Sequence, residues 1–374
     1  MLQRNFMRRW IFITQLVLVF SQVLAQTPPV PVDAAKPVAS AAIPSATDSK
    51  SKTISPDPKD PRSWIWSYQL PDFSEADYRT AVEALFSDYE KKLGRKLAPG
   101  VKRHAGLKVA TNSPGLSTPP ALVCAVITAL EARGFQSAEI FIVDQSESRL
   151  HDAGFLPLNA HEGEGLFDGV QVIALERGRY YNLKWSYDSN VSAPDSVEQA
   201  ADRKRYEWAS QPGPRQSLLP VPLLLDVDFW INLPVGMDDG GLGVTGALVD
   251  ATLYSSSNTT RFFVNEQSGA KAVADIAAVP EFSHGWIFSL LTLEHYQYIG
   301  GPVFNSLYTR SEPLLLLSPN PVILDQMLFE RINDARQHRG LALLERPLYL
   351  SYASAPALNL GTDDPKHMFL VKLP

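Results

Sequence analysis

The chain has 374 residues, a formal net charge of −6 at neutral pH and a hydrophobic fraction of 45%, which is enough for a globular core. Nucleic-acid-binding proteins need clustered Lys and Arg to neutralise phosphates, so the acidic balance excludes that class as the expected function. Cys124 is the only cysteine, which excludes an intramolecular disulfide, a structural cysteine zinc site and a cysteine-ligated iron–sulfur cluster within the chain.

Residues 1–25 have the pattern of a secretory signal peptide. Arg4, Arg8 and Arg9 precede an apolar segment, and small residues lead to an expected cleavage point after Ala25. The apolar segment is shorter than the roughly 20 residues of a membrane span, so no stable span is expected after cleavage; an uncleaved anchor is the alternative. Arg8 and Arg9 also resemble a twin-arginine signal, but the usual preceding Ser or Thr is absent, which favours ordinary secretion. We therefore expect an exported protein, periplasmic or extracellular.

The next segment differs in composition from the rest of the chain. Residues 26–60 are rich in Pro, Ala, Ser and Lys. They bury too little apolar surface to offset the entropy of ordering, and we predict a disordered linker. Residues 61–374 then form the predicted α/β domain. Its first segment contains Trp64, Trp66 and Tyr68, which form either an exposed aromatic surface for an envelope partner protein or, as we favour, an edge strand packed on the core.

The first half of the predicted domain contains a βαβ unit. An amphipathic helix is predicted over residues 74–93, and a strand follows over residues 107–111. The next helix begins at Thr118 with Pro119 at its first position, and residues 138–143 form the next strand. Strand, helix and strand in about 40 residues imply two parallel strands.

The middle of the chain is less regular. Residues 170–176 and 180–186 predict a hairpin or a strand pair, and residues 188–217 predict a polar surface excursion. Residues 223–233 predict one strongly apolar strand, and a glycine-rich loop leads from it to a helix over residues 245–253. A strand followed by a helix again favours a parallel sheet.

The C-terminal part contains further strand and helix signals. Residues 272–278 favour a helix, residues 286–293 are too short an apolar run to distinguish strand from helix, and residues 314–317 predict a buried strand. A capped helix is predicted over residues 320–338 and a closing strand over residues 368–373. Together the elements predict an α/β fold with a mostly parallel central sheet flanked by helices on both faces.

Polar residues follow the predicted parallel strands at the edge where open α/β sheets bind ligands. Lys108 lies in an otherwise apolar strand and predicts a cation for an anionic ligand, with a snorkelling lysine on an edge strand as the alternative. Asn112, Ser117 and Thr118 lie in the loop beyond it, where Thr118 also fits the role of a helix N-cap. Asp144 directly follows the next strand and predicts either a contact to a ligand hydroxyl or a metal, or an N-cap for the following helix.

A second set of candidates surrounds the glycine-rich loop at residues 238–246. Its glycines, including Gly243, and the helix start at Thr245 would let backbone amides approach an anion. The loop has neither of the two nucleotide-binding fingerprints, GxGxxG and GxxxxGK followed by Ser or Thr. The alternative to an anion-binding loop is a plain turn. Asn232 lies near the end of the preceding strand, and we predict that it faces the same ligand.

The remaining polar residues are weaker candidates for a functional site. Asp226 and Asp228 share a face of the predicted strand, as a cation-binding or acid–base pair would, but residues at a sheet edge do the same. Asp325 fits a dipole-complementing role in the first turns of its own helix. The sequence contains no HExxH histidine pair and no GxSxG elbow, and Cys124 fits a buried inert thiol. No nucleophile, metal or cofactor can be assigned, and whether the protein is an enzyme stays open.

Five segments resemble, in their order along the chain, the family called domain of unknown function 362. They are GLKVATNSPGLSTPPALVCAVITALEARG, EIFIVDQS, DFWINLP, GVTGALVD and SPNPVILDQMLFERI. The resemblance spans residues 106–332 and implies an α/β domain that is often found in exported or redox-associated proteins. Some members carry a Cys-rich ferredoxin-like module, which this chain lacks. A redox accessory that borrows a cofactor from another chain is therefore implied by analogy alone.

The chain departs from the family pattern at two places. Met237 and Asp239 stand near the positions where family members have Lys and His, and Val249 and Asp250 replace a Lys-Asn pair. The resemblance therefore implies a divergent member in which basic or imidazole chemistry at these positions is in doubt.

Two hypotheses for the function follow. In the first, a cleft takes a small polar or anionic ligand, with Lys108 and Asn112 at its negative charge and Asp144 and Asn232 at hydroxyls or a cation. Replacing Lys108 with Ala is then expected to weaken ligand uptake without unfolding the protein. In the second hypothesis, the protein is a non-catalytic envelope module that binds a partner protein.

Overall fold

A computed structural model of the chain describes residues 56–160, 164–177, 180–191, 213 and 215–374. The predicted signal peptide, residues 26–55 of the predicted linker and most of the predicted excursion at residues 188–217 lie outside the described residues. In the part of the chain that the structure describes, no helix is both long and apolar enough to cross a membrane.

The part of the chain that the structure describes contains the following strands and helices. The strands are β1 (Trp64–Gln69), β2 (Ala105–Val109), β3 (Ile140–Asp144), β4 (Glu164–Phe167), β5 (Val170–Ala174), β6 (Tyr181–Asp188), β7 (Gln216–Pro220), β8 (Phe229–Leu233), β9 (Met237–Asp239), β10 (Gly243–Thr245), β11 (Trp286–Thr292), β12 (Tyr296–Gln297), β13 (Thr309–Arg310), β14 (Leu314–Ser318) and β15 (Phe369–Leu373). The α-helices are α1 (Glu75–Leu93), α2 (Pro120–Glu131), α3 (Glu147–Asp152), α4 (Val221–Leu225), α5 (Ala247–Ala251), α6 (Glu266–Ala277), α7 (Pro280–Gly285), α8 (Pro321–His338) and α9 (Leu348–Ala353).

A large sheet contains nine of these strands, in the order β15-β1-β14-β11-β8-β2-β3-β5-β4. Its central strands β11, β8, β2, β3 and β5 are all parallel to one another. Towards the edges, β14 is antiparallel to both β11 and β1, and β4 is antiparallel to β5. A smaller mixed sheet has the order β10-β9-β12-β13, and β6 pairs with β7. The large sheet is thus mostly parallel, as predicted.

The strand order reverses between β2 and β8. From β2 the chain continues to β3 and β5 on one side of the sheet, whereas from β8 it continues to β11 on the other side. β2 and β8 pair directly, with Lys108 opposite Asn232. In open α/β sheets, such a switch point leaves a crevice beyond the carboxyl ends of the two strands. The fold therefore places Lys108 and Asn232 side by side where a ligand is expected.

Three groups of buried apolar side chains pack against the large sheet, one of which joins Ile65, Leu291 and Leu316 to α8. A second contains Leu107 and Ile142 together with side chains of α1 and α2. The third contains Val143 and Trp230 together with side chains of α5, α6 and α9. Removing this apolar surface from water, at about 25 cal/mol per Å², supplies the main free energy that holds the sheet and helices together.

The helix boundaries follow the local capping signals in two cases. Ser74 caps α1, since its side chain accepts a hydrogen bond from the amide of Asp77, and Gly94 ends α1 with a left-handed φ of 62°. Asn320 caps α8, since its side chain accepts hydrogen bonds from the amides of Val322 and Ile323. Both predictions are confirmed, because short-range hydrogen bonds decide these boundaries.

Two predictions for the middle of the chain are wrong. β5 pairs with β3 and β4, whereas β6 pairs with β7, so the segments at 170–176 and 180–186 do not pair with each other. Residues 223–233 do not form one strand, because α4 ends at Leu225 and β8 begins at Phe229. An apolar run does not distinguish a buried helix turn from a buried strand, and both occur here.

The shorter strand changes the position of the aspartates before it. Asp226 and Asp228 both precede β8 and do not share a face of that strand. The carboxylate of Asp228 accepts hydrogen bonds from the amides of Gly100 and Lys102, at 2.8 and 2.9 Å. This pair of aspartates therefore lies at the amino end of β8, away from the carboxyl edge, so the favoured interpretation of residues that mark the end of a strand holds and the alternative of a cation-binding or acid–base pair is wrong.

The aromatic segment at the start of the domain is an interior strand. β1 lies between β14 and β15, so it is not an edge strand. Trp66 and Tyr68 are buried, and the indole of Trp66 donates a hydrogen bond to Asp88 at 2.7 Å. The segment packs on the core, as favoured, and does not present Trp66 or Tyr68 to a partner protein.

Candidate functional site

The ammonium group of Lys108 lies at the centre of a buried polar cluster. Its Nζ lies 2.9 Å from Asp250 Oδ1, 3.1 Å from Asp144 Oδ1 and 2.8 Å from the carbonyl oxygen of Val109. The side chain is fully buried. Because β2 lies between β3 and β8, the alternative of a snorkelling lysine on an edge strand is wrong. Its three acceptors match the three N–H donors of an ammonium group.

The charges in this cluster stabilise one another. Burial acts to lower the pKa of Lys108, but the neighbouring Asp144 and Asp250 carboxylates outweigh it, and the pKa is raised above its ordinary value. Lys108 is therefore charged at neutral pH. A Lys108 that already has three partners binds an additional anion only if one of these partners moves.

Asp144 reaches Lys108 from the end of β3. One carboxylate oxygen accepts the Thr111 hydroxyl, and the other accepts the amide of Gln145 at 2.7 Å. The following helix, α3, has Ser146 as its N-cap residue. The N-cap alternative for Asp144 is therefore wrong, and its contacts are with the polar cluster.

Asp250 is the member of the cluster that sequence reasoning missed. It lies on the short helix α5 and is almost fully buried, at 2% exposure. Burial raises the pKa of Asp250 to about 6; Lys108 acts to lower it and Asp144 to raise it. Its second oxygen, Oδ2, has no hydrogen-bond partner among the described residues. The signal in the sequence that could have identified it is an acidic residue within the otherwise apolar segment at 247–251.

Asn232 faces the cluster from β8. Its Nδ2 donates to the carbonyl oxygen of Ala247 at 2.9 Å and lies 3.4 Å from the Ser289 hydroxyl. The residue is fully buried, and its Oδ1 has no partner among the described residues. Asn232 therefore fixes the start of α5 with one atom and leaves one acceptor unused.

The loop after β2 is tied to the end of β8 by Thr118. Its hydroxyl donates to the carbonyl oxygen of Leu233 and accepts the amide of Ala110 at 2.8 Å. The N-cap of α2 is Pro119, so the N-cap interpretation of Thr118 is wrong. Ser117 is partly exposed and donates to the carbonyl oxygen of Ser113 at 3.0 Å. These contacts hold the loop across the switch point.

We expect Thr118→Val to lower the free energy of unfolding by about 1–3 kcal/mol, because the buried Ala110 amide and Leu233 carbonyl each lose a partner. Chemical denaturation at neutral pH measures the change. Ser117→Ala is the matched control, since its hydroxyl makes a single local bond and is partly exposed. Equal destabilisation by the two substitutions would contradict the bridging role of Thr118.

Asn112 lies in the same loop and is 8% exposed. Gly243 and Thr245 lie in β10 of the smaller sheet, and the φ of Gly243 is 82°. Gly243 lies against Pro347. Thr245 is almost fully buried and precedes α5, whose first residue, Ala247, accepts the hydrogen bond from Asn232.

The glycine-rich loop does not offer free amides at its turn. Asp239 accepts hydrogen bonds from the amides of Gly241 and Leu242, at 2.8 and 2.7 Å. Asp238 accepts the amides of Gly300 and Gly301, at 3.0 and 2.9 Å. Asp239 therefore occupies two of the backbone donors that the sequence suggested for an anion, whereas Asp238 binds amides outside this loop.

Asp325 acts on a helix other than its own. Its carboxylate accepts the amides of Ala247 and Leu248 at the start of α5 and the hydroxyl of Tyr349 at 3.1 Å. Burial raises the pKa of Asp325 to about 7, although the two amides and Tyr349 act to lower it, and the charge of Asp250 raises it further. The role at its own helix belongs to Asn320, so Asp325 positions α5 and with it Asp250.

Within the described ranges, no group of three or more His, Cys, Asp and Glu side chains could hold a metal ion. The described polar cluster is instead built around an internal cation, the ammonium group of Lys108, which two carboxylates contact.

Comparisons with known proteins add the following. Neither a scan against protein-family models nor a search of the curated proteins finds a match to this chain. Among solved structures, the chain is similar to the crystal structure of a protein from Thermotoga maritima determined by a structural genomics consortium, with 9% identity and a TM-score of 0.38. The match covers 72% of this chain and 59% of that chain, so it spans less than two thirds of that protein.

Proposed function

We propose that the protein binds a small polar ligand at the switch point between β2 and β8. The observation that carries this proposal is the buried cluster of Lys108, Asp144 and Asp250 at the carboxyl edge of the parallel strands, where ligands of open α/β sheets bind.

We also propose that helices cover both faces of the large sheet. This arrangement is supported by Ile142 and Val143, which are consecutive in β3 and pack in different cores.

A purely structural role explains this cluster poorly. Taking charged groups out of water costs several kcal/mol per ion in typical proteins, and apolar residues of similar volume are often as stable or more stable in such positions. The cluster nevertheless joins β2, β3 and α5 through three ionised side chains. A buried charge cluster that costs stability, at the sheet edge where ligands of such folds bind, supports a role of the cluster in ligand binding.

We also propose that the chain is an exported, divergent member of the family called domain of unknown function 362. Export is supported by the signal pattern of residues 1–25. Family membership is supported by the five resembling segments, each of which supplies at least one polar residue to the described site. These residues include Lys108, Asp144, Asn232, Asp250 and Asp325.

Native mass spectrometry of the gently purified exported protein tests the ligand proposal. We expect a stoichiometric mass above that of the polypeptide, which disappears under denaturing conditions and is reduced in the Asp250→Asn variant. The matched control is Asp334→Asn on the exposed side of α8, whose carboxylate is 60% exposed and far less buried than Asp250. A polypeptide mass alone, together with no thermal stabilisation by any compound in a library of small polar molecules, would overturn the proposal.

A further inference from the structure

The features that attract an anion are already occupied by carboxylates of the chain itself. Lys108 contacts Asp144 and Asp250, and the turn amides of the glycine-rich loop donate to Asp239. The first amides of α5 donate to Asp325. An incoming anion would have to displace one of these buried carboxylates and leave it without its partner, which is strongly unfavourable.

The charge of the cluster also disfavours an anion. One ammonium and two carboxylates, from Lys108, Asp144 and Asp250, give a net charge of −1 when all three are ionised. Asp325 lies close enough for the charge of Asp250 to raise its pKa. In a buried environment, this excess of negative charge favours a positively charged group.

Two acceptor atoms at this place have no partner among the described residues. They are Oδ2 of Asp250 and Oδ1 of Asn232. Both side chains are more than nine-tenths buried, at 2% and 0% exposure. Asn232 is opposite Lys108 in the β2–β8 ladder and donates to the carbonyl oxygen of Ala247 in α5, and Lys108 contacts Asp250 of the same helix at 2.9 Å, so both acceptors belong to side chains that lie on or contact α5. Unpaired buried acceptors of this kind are costly, and a donor from a ligand or an ordered water removes that cost.

We propose that the site recognises its ligand through a primary ammonium group, whose N–H donors bind Asp250 Oδ2 and Asn232 Oδ1. The inference rests on the proposed ligand-binding function and names the chemical class of the ligand, a small amine. Lys108 shows that an ammonium group fits this environment, since its own donors are bound by the same Asp250 and by Asp144. A quaternary cation carries the charge but lacks the N–H donors, and it therefore does not satisfy the two acceptors.

Isothermal titration calorimetry of the purified full chain with defined probes tests the inference. Ammonium chloride and ethanolamine hydrochloride supply N–H donors. Choline chloride supplies the same hydroxyl and charge without N–H donors, and sodium acetate and sodium phosphate supply anions at matched ionic strength. We expect saturable binding of an ammonium probe, and binding of choline, acetate and phosphate at least about tenfold weaker.

Two substitutions distinguish the loss of the unpartnered acceptor oxygen from the loss of one negative charge beside Lys108. Asp250→Asn and Asp144→Asn each remove one carboxylate from Lys108, but only Asp250 has an unpartnered oxygen. We expect Asp250→Asn to weaken ammonium binding by about tenfold or more and Asp144→Asn to weaken it less. Thermal melts establish that both variants fold. If either does not, Asn232→Leu replaces the second acceptor, with Ser289→Ala as its control.

The outcomes distinguish this inference from the broader proposal. Saturable binding of acetate or phosphate, or equal binding of choline and ethanolamine, overturns the ammonium inference and leaves ligand binding at the site intact. Absence of saturable binding by both ammonium probes also overturns it, and the native mass measurement then decides on ligand binding separately. Equal loss of binding in Asp250→Asn and Asp144→Asn shows that charge alone matters and overturns the role of the two acceptors.

Discussion

Replacing Lys108 with Met is expected to lower the free energy of unfolding by about 3–5 kcal/mol, the range for removal of one partner from a buried ion pair. Met approximates the length of the lysine stem, so packing is largely retained. The carboxylates of Asp144 and Asp250 then lose the ammonium group that lies 3.1 and 2.9 Å from them. Urea or guanidinium denaturation at neutral pH measures the loss. The sequence-based expectation that removing Lys108 spares the fold assumed an accessible side chain and does not suit a fully buried one.

Two further variants show whether charge is the cause of this loss. Arg79→Met removes a cation from an exposed pair with Glu75 on α1, where both side chains are about half exposed, and we expect a change of about 1 kcal/mol or less. The triple variant Lys108→Met, Asp144→Asn and Asp250→Asn removes all three charges and is expected to recover most of the lost stability. A triple variant as unstable as Lys108→Met alone would instead attribute the loss to packing.

Part of the site could be predicted because neighbouring parallel strands end at the same edge of a sheet. Lys108 in β2 and Asp144 in β3 belong to one βαβ unit, whose elements lie within about 40 residues, and the structure places them 3.1 Å apart. Asn232 near the end of β8 is expected at the same edge of the sheet once β8 is known to pair with β2. The strand periodicity and the chain order were sufficient for Lys108 and Asp144, whereas Asn232 also required the pairing of β8 with β2.

The other part depends on contacts between distant segments. Asp250 reaches Lys108 across a separation of 142 residues, and Asp325 reaches the amide of Ala247 across 78 residues. Neither contact has a local signature, because the position of α5 depends on how it packs between α8 and the sheet. An aspartate in the first turns of a helix commonly complements the dipole of that helix. The sequence alone therefore suggested the wrong helix for Asp325.

The backbone amides of the glycine-rich loop also have a partner that the glycine pattern alone does not predict. Glycines permit backbone amides to approach an anion, and the sequence contains four of them in residues 238–246. The same segment also contains Asp239, and an aspartate side chain commonly binds backbone amides two or three residues further on. Asp239 does so with Gly241 and Leu242, so the anion at this turn is supplied by the chain. This arrangement removes the support that the loop gave to an anionic ligand and agrees with the proposed ammonium ligand.

The stability of the protein is expected to fall as the pH rises from about 4 to about 7, with Asp325 as the main cause. Its carboxyl group has a pKa of about 7 in the folded chain and an ordinary value of 3.8. Between these values the folded state binds more protons than the unfolded state, so the free energy of unfolding decreases with rising pH. At about 1.4 kcal/mol per pH unit, the full contribution of Asp325 is on the order of 4 kcal/mol. Asp250, with a pKa of about 6, contributes in the same direction.

Urea denaturation of wild type and Asp325→Asn at intervals between pH 4 and pH 8 checks this expectation. The variant cannot titrate at position 325, so its free energy of unfolding should decrease less across the window, with the remaining slope coming from Asp250. Asp334→Asn is the matched control, because Asp334 lies on the same helix with its carboxylate 60% exposed, and it should retain the wild-type slope. A wild-type protein that gains stability from pH 4 to pH 7 contradicts the argument. That result would mean that the Ala247 and Leu248 amides and the Tyr349 hydroxyl, which all donate to the ionised carboxylate, outweigh the cost of its burial.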